Sequence, residues 1–259
     1  MKSDRSVSEL IPKLKDDPRV EAVSPNYIRY VAATPNDPEY PLWGLERIDA
    51  EKAWDTETNS SSVVVADIDT GIDYTHQDLA SNMWNNPNEM LDNKDNDHNG
   101  YVDDIHGINA IDDNGDPMDN NGHGTHTAGI MGGVGNNHKM ITGVNWDIGI
   151  MALKFLGPDG WGTDADAIEC MDYIIQQKNN GVNIVAINAS WGGPGFSDVM
   201  RSVISDLRDL GIIFCAAAGN SLQNIDEHPI YPASYDLDNI ISVAATDQHD
   251  DLASFSNYG

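Results

Sequence analysis

From Val63 onward, short runs rich in β-branched residues alternate with longer segments of helical apolar spacing, and this alternation constrains the fold more than any other feature. The runs are Val63 to Ile68, Gly149 to Phe155, Val182 to Ser190, Ile212 to Ala218 and Ile240 to Ala245; Thr163 to Asn180 and Ser197 to Leu210 are helix-like. Such alternation predicts an α/β fold, a doubly wound parallel sheet with helices on both faces. In open sheets of this kind the functional site lies outside the carboxyl ends of the strands. The residues just after each run are therefore the ones to inspect.

The first 33 residues stand apart. Val7 to Leu14 has a helical apolar spacing, Val20-Glu-Ala-Val reads as a strand, and Tyr27 to Val31 alternates toward the turn-rich Thr34-Pro-Asn-Asp-Pro-Glu-Tyr-Pro, a candidate linker. The expected organisation is a small piece over 1–33 and a main domain over 34–259. With 42 acidic against 14 basic side chains the formal charge is −28, which disfavours nucleic acid and anionic lipid and favours cations. No run approaches the roughly 18 apolar residues of a membrane span, and no signal-peptide core is present at the N-terminus. Cys170 and Cys215 fall in a predicted helix and strand, where unpaired small hydrophobes are expected rather than a disulfide.

Three run ends carry unusual chemistry. The first closes Val63-Val-Val-Ala-Asp-Ile-Asp-Thr-Gly-Ile-Asp, placing Asp69 at a strand tip before a glycine turn. Asp-Thr-Gly also occurs in aspartic proteases, but these need two copies and no second one exists here. Asn121-Gly-His-Gly-Thr-His-Thr-Ala-Gly-Ile opens an apolar, small-residue helix at His123. His123 and His126 would pair as zinc ligands one turn apart, yet the glutamate of a zinc-protease helix is missing. Phe214-Cys-Ala-Ala-Ala-Gly-Asn-Ser places Asn220 just past a run of small residues. Alone, each is a capping, helix-start or turn residue. Together they supply an orienting carboxylate, a general base and an oxyanion donor.

With these motifs, with Ser190-Trp-Gly-Gly-Pro between the second and third and Tyr231-Pro-Ala-Ser-Tyr after them, the stretch from Thr34 to Gly259 resembles the subtilisin-like serine proteases, the subtilases. The resemblance implies a serine endopeptidase working by acyl transfer, with Asp69 as triad aspartate, His123 as general base and Asn220 as oxyanion-hole amide. The family's nucleophile lies in a Gly-Thr-Ser-Met-Ala segment, which is not among these 259 residues. The chain is thus expected to stop short of its serine, and the alternative is a non-catalytic, calcium-stabilised peptide-binding module.

By the same resemblance, substrate peptide would lie as a strand between Gly160-Trp161-Gly162 and Ser190-Trp191-Gly192-Gly193, with Ala218 and Gly219 beside it and Ile230 at the floor of the primary pocket. Residues 1–33 resemble the end of a subtilase propeptide, an intramolecular inhibitor processed near Ala33 and Thr34, with Tyr30-Val-Ala-Ala leading into the groove. A secreted monomer is expected.

Between Asp69 and His123, Asp95-Asn-Asp-His-Asn-Gly matches an EF-hand loop at positions one, three, five and six, and places His106 where the closing glutamate belongs. Calcium is expected there on Asp95, Asp97, Asn99 and the Tyr101 carbonyl, with Asp104 or Asp103 closing the shell. Asp112, Asp113, Asp116 and Asp119 are too irregularly spaced to separate a second ion from a solvated loop. The resemblance alone implies another calcium site, made of Asp37, Asp78, the Asn137 side chain and the carbonyls of Val134, Lys139 and Ile141. One residue fits no pattern. Asp67 is an acid in a strand expected to be buried, so a partner, a cation or an altered strand face must accommodate it.

Overall fold

The computed structural model describes residues 6–24 and 33–259. The chain divides into two compact units, Met1–Ala32 and Ala33–Gly259. In the first, helix α1 (Val7–Lys15) begins after Ser6, whose backbone N–H donates to Glu9 Oε2 at 3.1 Å. Asp17 then receives both the backbone N–H and the guanidinium of Arg19. Residues 20–23, expected as a strand, are irregular, because no ladder partner stands beside them among the described residues. The alternating stretch from Tyr27 to Val31, with Tyr30, lies outside the described residues.

In the second unit the expected linker is packed structure. Asp37 is buried and its carboxylate accepts from the backbone N–H of Asn136 at 2.7 Å, which pins the stretch to a loop 99 residues away in sequence. Tyr40 packs at a tilt against Trp54, and Trp54 against Trp146. Two single-turn helices, α2 (Trp43–Arg47) and α3 (Ala50–Trp54), follow. They are too short to show periodicity in the sequence.

The main sheet has six strands: β1 (Asn59–Asp69), β2 (Gly107–Asn109), β3 (Asp147–Lys154), β4 (Ile184–Ala189), β5 (Ile213–Ala217) and β6 (Ile240–Val243). They stand in the order β2-β3-β1-β4-β5-β6, and every pair is parallel. The expected doubly wound α/β sheet is therefore present. Strand β2 escaped the sequence pattern because it is a three-residue edge strand inside the Asp-rich insertion.

Side chains alternate across β1 and sort two cores. Val64, Ala66 and Ile68 join the larger core, where α5 (Asp164–Asn179) and α6 (Asp198–Asp209) pack with Met171, Ile174, Ile204 and Phe214. Val65 faces the second core of Ile72, Leu79, Ala128 and Ile150, covered by α4 (His123–Gly132). Fully burying residues such as Phe214 or Ile187 contributes about 1.5–3 kcal/mol each. Helix starts are specified locally. Thr163 and Asp166 form a reciprocal cap on α5, and Ser197 Oγ accepts from Met200 N on α6.

Because β1 neighbours both β3 and β4, the strand order reverses there. The carboxyl ends of β1, β3, β4 and β5 carry Asp69, Leu156, Ser190 and Gly219-Asn220 to one edge of the sheet. That edge is where a parallel sheet opens a crevice.

Candidate active site

Asp69 ends β1 and is fully buried. Its two oxygens lie 2.7 and 2.9 Å from His123 Nδ1, and its Oδ1 also accepts the Thr70 N–H at 2.7 Å. The pair is asymmetric in solvent: the His123 side chain is 48 % exposed and the Asp69 side chain 1 %. A buried carboxylate on Nδ1 keeps the proton there and leaves Nε2 as a base. His123 is the first residue of α4, and the glycines around it have separate reasons. Gly122 has φ +109°, and a Cβ on Gly124 would lie 2.1 Å from the Gly71 carbonyl oxygen. Only Gly lets the helix start come this close to the β1 tip.

Asp119, left open in the sequence between cation ligand and solvated acid, braces this junction. It accepts from Thr70 Oγ1, from the N–H groups of Asn121, Gly122 and Thr125, and from Thr125 Oγ1. His126 is exposed and takes no part.

His123 lines a cleft of about 780 Å³ that also takes in Gly160, Trp161, Gly162, Ser190, Trp191, Gly192, Gly193, Gly219, Asn220 and Ile230. Ala218 is not among its lining. Ala217 is, because alternation along β5 turns Ala218 inward, where it is 3 % exposed. Trp191 has a second duty: its Nε1–H donates to the Ile68 carbonyl and its ring packs edge-on against Phe155. Trp161, at 79 % exposure, is free to meet a ligand. The Ile230 methyl Cγ2 would be 2.9 Å from a Cβ on Gly192 and 4.0 Å from one on Gly219, so it stands between the two backbone walls.

Sequence reasoning missed Asn257 as a site residue. Buried at the base of the cleft, it donates to the Ala218 carbonyl and accepts from Ser221 N and Gln223 N, so it shapes the turn that presents Asn220. Its Nδ2 would be 2.6 Å from a Cβ on Gly219, whose φ is +105°. No local signal marks such a residue.

The family model for the subtilase family, Peptidase S8, matches residues 60–259. This chain belongs to the subtilases. It is 36% identical to the "Thermophilic serine proteinase" of Bacillus sp. (strain AK1) over 98% of this chain and 56% of that protein. It is 34% identical to "Subtilisin-like protease 1" of Plasmodium falciparum (isolate 3D7) over 83% of this chain and 33% of that protein. With the "Thermitase" of Thermoactinomyces vulgaris the identity is 32% over 87% of this chain and 70% of that protein. The chain thus spans about a third to a little over half the length of the first two of these relatives.

This subtilase chain also buries two ionisable side chains beside the pair. Lys154, in register with Asp69 across β3, donates to the carbonyls of Thr70 and Leu156 and to Asn120 Oδ1. Burial lowers its affinity for a proton, and the charges of Asp119, Asp112 and Asp69 oppose that. Asp67 is fully buried on the α4 side of β1; Oδ1 contacts Asn188 Nδ2 at 2.8 Å and Oδ2 contacts Thr127 Oγ1 at 2.9 Å. Burial first, and then the Asp69 charge, pushes its carboxyl up to about 8.

In the acidic segment the structure regroups the expected ligands. Glu89, Asp95 and Asp97 bring carboxylate oxygens within 4.8 Å of one another, and Glu89 was not foreseen. The segment's lysine, Lys94, pairs with Asp92 instead. Asn99 is spent elsewhere: its Nδ2 donates to Asp104 and its Oδ1 accepts from Tyr101 N. Asp104 sits beneath, fully buried, accepting from Tyr173 Oη, Asn99 and Asn86 through Oδ2, while Oδ1 has no partner. Burial raises Asp104 to about 6 against those hydrogen bonds. Asp103 turns away to the N–H groups of Asp92 and Asn93, and His106 Nδ1 meets the Trp84 carbonyl.

At the other expected cation site, Asp37 and Asp78 converge on Asn137. Asp37 meets its backbone N–H at 3.3 Å and Asp78 its Nδ2 at 2.7 Å, while Asn137 Oδ1 accepts from Lys139 N. Ile141 presents its N–H to Asp78 at 3.1 Å.

Among the described residues no helix is long and apolar enough to cross a membrane. Both cysteines are free, as expected.

Proposed function

We propose that this chain is the greater part of a serine endopeptidase domain that cleaves proteins by acyl transfer, with Asp69 orienting His123, His123 as general base and Asn220 as an oxyanion donor. The observation that carries this reading is the short contact between a buried carboxylate and a half-exposed imidazole at the mouth of a peptide-sized cleft. His123 Nε2 would take the proton of a serine hydroxyl as the oxygen attacks the peptide carbonyl, then return it to the leaving amine. The Asn220 amide would meet the oxyanion. The nucleophile belongs in a Gly-Thr-Ser-Met-Ala segment, which is not among the 259 residues. Residues 1–33 are read as a propeptide remnant that inhibits the domain before processing, and the mature enzyme as a secreted monomer.

The test is hydrolysis of peptides with Ala, Leu or Phe before the scissile bond by a chain extended through that segment, with fluorophosphonate labelling of the new serine. Labelling together with preference for Ala is the expected result. Ile230→Ala is expected to raise the Phe-to-Ala ratio of kcat/KM about tenfold or more, since each methylene of room in an apolar pocket is worth 1–3 kcal/mol. No labelling and no cleavage would leave the peptide-binding module as the better reading.

Calcium fits the Glu89, Asp95 and Asp97 oxygens, a hard-donor set with no cationic side chain paired to it among the described residues. It would neutralise carboxylates that otherwise repel, and tie the insertion to the core. Asp37, Asp78 and Asn137 would hold a second ion once the Asn137 amide turned its oxygen inward. Chelation is expected to lower Tm by about 5–10 °C, because a ligand at about a hundred times its Kd stabilises by about 2.7 kcal/mol and each kcal/mol moves Tm by 2–4 °C at this size. Unchanged melting would count against both sites.

A further inference from the structure

Asp67 is a fully buried ionisable group for which the catalytic reading has no use. Two residues before Asp69 on the same face of β1, it meets α4 one turn along from His123: Asp69 contacts His123, and Asp67 contacts Thr127. On its other side it meets Asn188, its register partner on β4, whose Nδ2 also reaches Ser190 Oγ at 3.0 Å on the rim of the cleft.

The hydrogen atoms around Thr127 decide the protonation state. Its Oγ1 lies 2.9 Å from Asp67 Oδ2 and 2.9 Å from the Gly124 carbonyl. A hydroxyl has one hydrogen, so it cannot make a full hydrogen bond to two acceptors at once. If Asp67 is an acid, its Oδ2–H donates to Thr127 Oγ1, Thr127 donates to Gly124, and Oδ1 accepts from Asn188. Every contact is then satisfied. If Asp67 is a carboxylate, one of the two contacts at Thr127 is left without a hydrogen of its own beside a fully buried charge, at real cost. The charged groups facing it are acidic, Asp69 on its own strand and Asp119 before α4. The residues packed on it from α4, β3 and β4 are Thr127, Ala152 and Asn188, none of them ionisable. Asp69 has the stronger claim to the negative charge, with His123 and the Thr70 N–H on it.

We propose that Asp67 is a positioning residue that works as a neutral acid, fastening the histidine-bearing helix to the central strand through Thr127 and the substrate rim to the same strand through Asn188 and Ser190. It rests on the reading of His123 as the base. With Asp67 neutral, Asp69 is the only anion on that strand face. Once Asp67 ionises, a second anion stands behind the pair and the Thr127 link breaks.

Asp67→Asn tests this, since an amide keeps both links, donating to Thr127 and accepting from Asn188, but cannot ionise. A carboxyl whose folded-state pKa is raised contributes stability fully present below its unfolded pKa and lost as pH rises through the folded value. The Tm advantage of Asp67→Asn over the unmodified chain is therefore expected to grow from about pH 4, where a free Asp ionises, to about pH 8, and then to hold constant. Near neutral pH the infrared spectrum of the unmodified chain should contain a carboxylic-acid C=O band that Asp67→Asn lacks. The downfield proton resonance of the His123–Asp69 hydrogen bond should shift with an inflection near pH 8, and the inflection should vanish in Asp67→Asn. A purely structural residue would not move that signal.

An unmodified chain without the acid band, a Tm difference that does not vary with pH, or an inflection that survives in Asp67→Asn would each overturn the proposal. The first needs no variant to fold. All three are read without peptide hydrolysis, so failure of the extended chain to cleave would strike the protease reading alone.

Discussion

Asp69→Asn is expected to lower kcat about ten-thousandfold in a chain extended to carry its nucleophilic serine, with KM and fold nearly unchanged. The reason is the direction of one hydrogen. Asp69 only accepts, so His123 Nδ1 must hold the proton and Nε2 stays free as a base. An Asn side chain of the same shape keeps the Thr70 N–H bond through its oxygen but turns an N–H toward Nδ1. The imidazole then shifts to the other tautomer, with Nε2 protonated and unable to take the serine proton. Because Asp69 is fully buried, water cannot take the place of the lost acceptor. Initial rates together with circular dichroism check this, and a loss smaller than tenfold in a folded protein would remove Asp69 from the mechanism.

Gly124→Ala should cause a large loss of stability from a single methyl group beside the Asp69–His123 pair. Its Cβ would lie 2.1 Å from the Gly71 carbonyl oxygen and 3.2 Å from Asp69 Cβ, and the nearer atom is backbone that cannot rotate away. The helix start must move off the β1 tip, at a cost of about 2–3 kcal/mol for the overpacking, which is about 5–10 °C in Tm for a domain of this size. The same shift would lengthen the His123–Asp69 contact. Gly193→Ala is the control, since nothing lies within 4 Å of a Cβ there and Tm should stay within the usual ±0.5 kcal/mol of surface changes. Equal melting of the two variants would show that the close approach at Gly124 is relaxed in solution.

Strands β1, β3, β4, β5 and β6 and the helices α5 and α6 were legible, because runs of six or more residues rich in β-branched side chains mark the strands and a 3.6-residue period survives over twelve or sixteen residues. Strand β2 and helices α2 and α3 were not, since three to five residues contain too little of any period. The expected linker from Thr34 to Pro41 carries the turn residues of a linker, yet Asp37 is anchored by loop N–H groups far along the chain. The EF-hand spacing found Asp95 and Asp97 but not Glu89, whose position depends on how the insertion folds back.

By itself the sequence determined the sheet and placed Asp69, His123 and Asn220 at the ends of its elements, because these follow from local periodicity and from short motifs whose residues are neighbours in the chain. Tertiary structure alone decided what lies across from each of them. It set Asn257 beneath the Asn220 turn, made Asp119 a brace, turned Ala218 away from the cleft and gave the buried acid Asp67 its partners on α4 and β4. Hydrogen bonds are pairwise and form only within about 3 Å. Residues 34 or 121 positions apart, as in Asn257–Gln223 and Asn188–Asp67, become partners only when the folded chain brings them together.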